Sequence, residues 1–366
     1  MPPPSTPRSR TSCRTGGAMS RLTPRIQRSQ GRFCERGAVM QTERPSSRFA
    51  DIDVWEPADV LEAMIGGQFA AVAAVRAALP ETERAALGIE QRLKAGGRLV
   101  YAGAGTSGRL AVQDGAELMP TFGWPSERLV LLIAGGHEAM MQAVEGAEDE
   151  IVKAAMQVRE HDIGGEDVLI AVAASGTTPF TLSCLREAKS RGAFTVGIAN
   201  NRGTPILCEA DQGIFLDTGA EPIAGSTRMN AGTAQRIVLN LMSTLVMIRL
   251  GRVYRGMMVD VQSANAKLER RKRAMVSYLT GCSDGEAQRA LECAGGNVKI
   301  SILILHGCEL ASAQAALDRA GGHLRQAIDS LGQAPQRNDE AGSASSAKPR
   351  HDRTGRALPQ AARPAS

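Results

Sequence analysis

Two glycine-rich loops could bind a phosphate group, because each offers backbone N–H groups and side-chain hydroxyls where a helix is predicted to begin. Each loop directly follows a short apolar run, and a third pair of hydroxyls occurs at Ser226-Thr227. The candidate residues for binding a ligand with such a group are Gly105, Thr106, Ser107, Ser175, Gly176, Thr178 and Ser226. Ordinary N-capping by Ser and Thr would explain one such loop. Two similar loops favour a phosphate ligand.

The first loop also matches the dinucleotide-binding pattern Gly-x-Gly-x-x-Gly, at Gly103, Gly105 and Gly108. That pattern requires an acidic residue at the end of the second strand, about 20 residues further on, to hold a ribose. Here the second apolar run ends in Ala134-Gly-Gly136, and Glu127 precedes the run. The sequence therefore disfavours a nicotinamide cofactor.

The loops belong to a repeated pattern of a short apolar run, a loop of small residues and a helical stretch. The five apolar runs are 98–102, 129–134, 168–173, 194–198 and 213–216. Strands that alternate with helices predict an α/β fold with a parallel sheet covered on both faces. Ligands of such sheets bind at the carboxyl ends of the strands, where these loops lie.

Composition divides the 366 residues into four predicted segments. Residues 1–45 are rich in Pro, Ser and Arg and are predicted to be a disordered leader. Residues 46–265 would form the parallel-sheet domain with helices at its N-terminus. Residues 266–332 have helical patterns broken by glycines and would form a small helical subdomain, and residues 333–366 would be a disordered tail.

The charge distribution argues against nucleic-acid binding. The net charge is +5, but residues 1–40 hold eight Arg and one acid, and residues 334–366 hold six basic and three acidic residues. Residues 41–333 therefore carry a net charge of −5. A nucleic-acid-binding surface needs basic residues on a folded face, whereas here the basic excess lies in the two tails.

Cysteine spacing and hydropathy indicate a cytoplasmic protein. The seven cysteines form no Cys-x-x-Cys pair and the histidines are scattered, so we expect neither a disulfide framework nor a metal site. No uninterrupted apolar stretch approaches 18 residues, so we expect no membrane span. The N-terminus also lacks the apolar run of a secretory signal peptide.

Several longer motifs resemble the N-acetylmuramic acid 6-phosphate etherase family, whose members contain a sugar isomerase (SIS) domain. The matching segments are 103–110, 114–123, 133–136, 143–149, 173–176, 225–229, 231–235 and 239–244. The resemblance is in register from about residue 95 to residue 270, and looser from about 42 to 330. The chain departs from the family at Gly115-Ala116, where the family usually has Ala-Ser, and at Thr177, where it often has Arg.

The resemblance implies that Glu117 and Glu148 perform acid–base catalysis. Glu117 lies where the helix after the first loop is predicted to end, and its small and apolar neighbours would raise its pKa by desolvation. Glu148 lies in a stretch, 138–161, that is predicted to be one amphipathic helix. Residue type alone leaves Glu145 an equal candidate there, and the resemblance selects Glu148.

The resemblance further implies a flavodoxin-like three-layer SIS domain and a lyase reaction. The D-lactyl ether of N-acetylmuramic acid 6-phosphate would be eliminated and water added, which yields N-acetylglucosamine 6-phosphate and D-lactate. Glu148 would be the base, Glu117 the acid, and Glu221 would hold sugar hydroxyls. No metal or organic cofactor is implied. SIS domains commonly form dimers, so the resemblance implies a homodimer with shared sites. It also implies a role in amino sugar catabolism and peptidoglycan recycling.

Two other functions fit the same loops. One is a non-catalytic phosphosugar sensor like the related glucokinase regulatory protein, which carries two SIS domains, whereas this chain has room for one. The other is an aldose–ketose phosphosugar isomerase, which would release no D-lactate. Arg109 and Arg228 follow hydroxyl-rich segments, so they could contact the substrate's anionic groups or serve only in helix packing.

Overall fold

A parallel five-stranded sheet forms the centre of the fold in the computed structural model, which describes residues 40–262 and 266–332. The strands are β1 (Leu99–Gly103), β2 (Leu129–Ile133), β3 (Val168–Val172), β4 (Phe194–Ala199) and β5 (Gln212–Phe215). Their order is β2-β1-β3-β4-β5. Each predicted apolar run overlaps one strand, so the α/β prediction is confirmed. The predicted leader up to residue 39 and the tail from residue 333 lie outside the described residues.

Helices cover both faces of this sheet. They are α1 (Pro57–Ala77), α2 (Leu79–Lys94), α3 (Gly105–Ala116), α4 (Leu118–Phe122), α5 (Ile151–Glu160), α6 (Pro179–Ser190), α7 (Pro205–Glu209) and α8 (Asn230–Arg249). Successive strand residues point to opposite faces. Leu99 and Tyr101 therefore join one hydrophobic core with α1–α4 and α8, and Val100 and Ala102 join a second core with α5–α7.

After α8, the described chain is mainly helical apart from a short hairpin. The hairpin pairs β6 (Val253–Tyr254) with β7 (Met257–Met258). It is followed by α9 (Ala266–Thr280), α10 (Asp284–Cys293), α11 (Val298–Leu305), α12 (Leu310–Arg319) and α13 (Leu324–Gly332). These helices form a third hydrophobic core, which runs from Val259 to Ala327. The C-terminal region is thus helical, as predicted.

The predicted helix over 138–161 is wrong in its first half. The chain forms short 3-10 turns at Gly136–Met140 and Ala147–Asp149, and α5 begins only at Ile151. Gly135, Gly136 and Gly146 have φ values of 84°, 65° and 70°. That left-handed conformation interrupts an α-helix, and glycine adopts it at low cost. Glu148 therefore lies on a loop.

Two helices, α1 and α8, are long and apolar enough to cross a membrane, judged by length and composition alone. Helix α8 packs inside the domain against α1, α2 and α3. Helix α1 buries its small residues against α8 and leaves an apolar stripe exposed. The exposed fractions are 67% for Leu61, 47% for Ile65, 70% for Phe69 and 52% for Val72. We call these four residues the α1 stripe.

A partly buried ion pair between Arg98 and Asp167 joins the amino ends of β1 and β3, and its pH dependence can be predicted. Asp167 accepts hydrogen bonds from the Arg98 guanidinium at 2.7 Å, the Arg98 backbone N–H at 2.9 Å and the Gly164 N–H at 3.0 Å. Burial opposes ionisation of Asp167, but these hydrogen bonds hold its pKa below the usual range. Its stabilising effect is therefore complete above the unfolded-state pKa of about 3.9 and is lost as the pH falls through the folded-state value.

We expect Asp167→Asn to lower the free energy of unfolding at pH 7 by about 1–3 kcal/mol, since the charge-assisted hydrogen bonds to Arg98 are weakened. The difference from the wild type should shrink at pH 3. Urea unfolding of both proteins at pH 7 and at pH 3 measures the difference in free energy of unfolding. Asp162→Asn is the control, because Asp162 pairs with Arg191 through a side chain that is 91% exposed. An equal loss at both pH values for Asp167→Asn would contradict the ionic interpretation.

Candidate phosphosugar site

The two glycine-rich loops follow neighbouring strands at the centre of the sheet. The chain passes from β1 to β2 on one side and from β3 to β4 and β5 on the other, so the direction of winding reverses between β1 and β3. Ligands of open parallel sheets bind at such a reversal, outside the carboxyl ends of the strands. The structure thus brings residues 104–107 and 174–178 to one edge of the sheet.

The first loop places the N-terminus of α3 close to β1. A Cβ on Gly108 would lie 2.8 Å from the carbonyl carbon and oxygen of Gly103, so only glycine permits this approach. Gly105 has a φ of 53° and begins the helix. The N-cap residue is Ala104, which has no side chain that could cap the helix. The first-turn N–H groups are therefore not capped by a Ser or Thr side chain. N-capping, the alternative to phosphate binding, does not explain this loop.

The second loop holds its hydroxyls together. Ser175 Oγ lies 3.1 Å from Thr178 Oγ1 and accepts a hydrogen bond from the Thr177 N–H at 3.2 Å. Gly176 has a φ of 70°, and a Cβ there would lie 2.1 Å from Thr204 Oγ1. Thr178 is the N-cap residue of α6 but makes no side-chain cap hydrogen bond. This helix N-terminus is again left without a side-chain cap.

The third hydroxyl segment lies beside the first loop. The Gly232 N–H donates to the Thr227 carbonyl at 2.9 Å, which folds the segment back onto the start of α8. A Cβ on Gly232 would lie 3.6 Å from Thr106 Cγ2. The N-termini of α8 and α3 are therefore neighbours, and Ser226 lies in the turn that precedes α8.

Glu221 is completely buried and caps helix α8. Its two carboxylate oxygens accept hydrogen bonds from the N–H groups of Asn230 and Ala231, each at 2.9 Å. Burial raises the pKa of Glu221, and the two backbone hydrogen bonds oppose that rise. The sequence predicted a sugar-binding role for Glu221. Its observed contacts are with the helix, and sequence reasoning missed this capping role.

The N-terminal segment adds a residue that sequence reasoning missed. Residues 40–45 fall within the predicted disordered leader, but the chain there forms a 3-10 turn at Gln41–Glu43. Thr42 is fully buried, and its N–H and hydroxyl contact the side-chain amide of Asn201 at 3.3 and 3.0 Å. Asn201 is the second residue after β4. The only sequence signal was the polar pair Asn200-Asn201 at the end of a predicted strand.

The structure does not bring Glu117 and Glu148 together within one chain. Glu148 lies between β2 and α5, at the carboxyl edge of the sheet. Glu117 follows the last residue of α3, and twelve helical rises of 1.5 Å place it about 18 Å from Gly105, towards the opposite edge. Both glutamates are exposed. The burial of Glu117 that its neighbours predicted is therefore wrong for the single chain.

Arg109 makes hydrogen bonds to backbone carbonyls of its own chain. Its guanidinium donates to the carbonyls of Ala139 at 2.7 Å and Gln142 at 3.0 Å. It thus ties the first turn and a half of α3 to the loop that precedes Glu148. Arg228 is exposed beside Ser226.

Two other kinds of site could hold a ligand, a cavity away from the loops or a metal-binding cluster. A polar cavity of about 580 Å³ lies beside the hairpin and the C-terminal helices, lined by residues that include Arg252, Asp260 and Lys272. It contains none of the predicted site residues. Within the described residues, no three His, Cys, Asp or Glu side chains are grouped so that they could hold a metal ion.

Comparison with known proteins finds two domain models and a solved structure that are similar to parts of this chain. The glucokinase regulatory protein N-terminal SIS domain model matches residues 83–189, and the SIS domain model matches residues 149–245. A phosphoheptose isomerase structure from Francisella tularensis covers 53% of this chain and is itself covered completely, with 20% sequence identity and a TM-score of 0.42.

Two relatives carry one name. The N-acetylmuramic acid 6-phosphate etherase of Deinococcus radiodurans is 51% identical over 265 residues, which is 72% of this chain and 87% of the relative. The protein of that name from Streptomyces coelicolor is 43% identical over 267 residues, which is 73% of this chain and 86% of the relative. The resemblance inferred from the motifs is confirmed, and the chain belongs to the N-acetylmuramic acid 6-phosphate etherase family.

Proposed function

We propose that the protein cleaves the D-lactyl ether of N-acetylmuramic acid 6-phosphate, which yields N-acetylglucosamine 6-phosphate and D-lactate. The observation that carries the proposal is the pair of hydroxyl-rich loops at the reversal point of the sheet, in a chain 51% identical to a named etherase. The uncapped N-termini of α3 and α6 offer N–H groups and positive dipole ends to the 6-phosphate.

The proposed reaction is an elimination followed by hydration. The open-chain sugar has an aldehyde at C1, which acidifies the hydrogen on C2. Glu148 removes that proton, and the C3–O bond breaks as Glu117 protonates the departing lactate oxygen. Water then adds across the C2=C3 bond, with its hydroxyl on C3. One carboxyl group must be ionised and the other protonated when the reaction begins.

A homodimer resolves the separation of the two glutamates. About 18 Å of helix separates Glu117 from the loop at the other end of α3, which is further than one sugar phosphate reaches. We propose that a second copy supplies Glu117 to the site that holds the first copy's Glu148. The α1 stripe is the proposed contact surface, because Gln68 on the same helix donates to Asn230 beside the site at 3.3 Å.

The remaining expectations also belong to this proposal. The protein would act in the cytoplasm, in amino sugar catabolism and peptidoglycan recycling, without a metal or organic cofactor. Residues 46–265 would form the SIS domain and residues 266–332 a helical subdomain. The match to a glucokinase regulatory protein model keeps a non-catalytic sensor as a second candidate. Release of D-lactate would exclude both the sensor and the isomerase.

We expect Ser107→Ala and Ser175→Ala to raise KM about ten- to hundred-fold with a smaller change in kcat. Each hydroxyl would donate a charge-assisted hydrogen bond to phosphate, which contributes about 1.5–3 kcal/mol. Initial rates of D-lactate release measure both constants. Ser190→Ala is the control, because Ser190 is exposed at the far end of α6. Wild-type KM in both test variants would place the phosphate elsewhere.

We expect Glu148→Gln to abolish exchange of the C2 hydrogen with deuterated solvent, because the base is missing. Glu117→Gln should block lactate release but retain some exchange, since the abstracted proton can return. Each change should lower lactate release by about 10²–10⁴-fold. NMR of the sugar and an assay for D-lactate measure the two steps. Glu145→Gln is the matched control three residues away.

The reverse pattern, with exchange lost in the Glu117 variant and retained in the Glu148 variant, would exchange the two roles. Normal lactate release by either variant would remove that residue from the mechanism. If Glu145→Gln alone lost exchange, Glu145 would be the base.

A further inference from the structure

The turn at Gln41–Glu43 connects two of the three hydroxyl segments through Thr42. The Thr42 carbonyl accepts the Gly225 N–H at 3.0 Å, and Gly225 directly precedes Ser226. The side-chain amide of Asn201 donates both to Thr42 Oγ1 at 3.0 Å and to the carbonyl of Ala174, next to Ser175, at 2.9 Å. Thr42 therefore fixes its own turn against the second and third segments.

The hydrogen bonds of Thr42 place the neighbouring Glu43 carboxylate at the edge of the site. A Cβ on Gly225 would lie 2.8 Å from Glu43 Oε2, so the carboxylate lies directly over the turn that leads to Ser226. Glu43 is exposed. Within the described part of the chain, its carboxylate makes no hydrogen bond or ion pair. A carboxylate held over a ligand-binding turn without a protein partner is free to accept a hydrogen bond from a ligand.

The charge of Glu43 decides which part of a phosphosugar it could contact. A carboxylate repels phosphate and accepts hydrogen bonds from hydroxyl and amide N–H groups. The uncapped starts of α3 and α6 attract the phosphate instead. The two kinds of contact would orient the substrate, with the phosphate at the helix N-termini and the donor groups of the sugar at Glu43.

We propose that Glu43 is a substrate-binding residue that accepts a hydrogen bond from a sugar hydroxyl or from the acetamido N–H, and that Thr42 is its positioning residue. The inference rests on the proposed function for the identity of the sugar. It adds the N-terminal turn to a site otherwise built from loops of the sheet.

The test compares Glu43→Ala and Glu43→Gln with Glu160→Gln, an exposed glutamate at the end of α5. We expect Glu43→Ala to raise KM for N-acetylmuramic acid 6-phosphate about ten- to hundred-fold, as for other hydrogen bonds to a charged group. Glu43→Gln should fall between Glu43→Ala and the wild type. The inhibition constant of inorganic phosphate should stay within about twofold, because phosphate would contact the loops and not Glu43.

Thr42→Val should raise both the KM and the phosphate inhibition constant, because it removes the hydroxyl that bonds to Asn201 and so loosens the second and third hydroxyl segments. Thr42→Ser keeps a hydroxyl and should leave both constants near their wild-type values. A Glu43→Ala variant with wild-type KM, or one that weakens sugar and phosphate equally, would overturn the proposal. If the wild type releases no D-lactate, the proposed function fails by itself. Calorimetric binding of N-acetylglucosamine 6-phosphate to the same variants then still tests Glu43, and unchanged affinity in Glu43→Ala would overturn its role.

Discussion

The length of helix α3 is the constraint on which the proposed site depends. The helix begins at a phosphate-type loop and ends beside Glu117, so its rise of about 18 Å separates the proposed acid from the loop of the same chain. Glu148 lies at the carboxyl edge, with the loops. In the proposed mechanism, a complete set of acid, base and phosphate loop would therefore be built from two chains. Both glutamates are exposed in the single chain, so a second copy could reach either of them.

Buried polar contacts hold the loops in place around this edge. Glu221 caps the start of α8, and Thr42 with Asn201 connects the N-terminal turn to the second and third hydroxyl segments. A buried polar group without a partner costs about 1–3 kcal/mol, so each of these contacts strongly favours one arrangement of the loops. The α3 and α6 N-termini differ, because neither receives a side-chain cap. These contacts satisfy the buried polar groups of Glu221, Thr42 and Asn201, while N–H donors at the starts of α3 and α6 stay available where an anion would bind.

The sequence predicted the sheet and its loops because those features are local. An apolar run followed by small residues identifies a strand and its carboxyl end, as at Gly103 and Ala173. It could not predict Thr42–Asn201, which joins residues 159 positions apart. It also missed the loop that carries Glu148, because amphipathic spacing continued through Gly146, whose positive φ interrupts the helix. The sugar-binding role of Glu221 rests on the family resemblance alone, and the sequence does not show the helix N-terminus that its carboxylate caps.

The most direct test of the shared site is activity in heterodimers purified through two different tags. A dimer of one Glu117→Gln chain and one Glu148→Gln chain should release D-lactate at about half the wild-type rate, since one of its two symmetric sites keeps both glutamates. A dimer of one wild-type chain and one chain with both substitutions should be nearly inactive, because each site then lacks one glutamate. The opposite result, an inactive first dimer and a half-active second dimer, would show that each chain carries its own acid and base and would contradict the account.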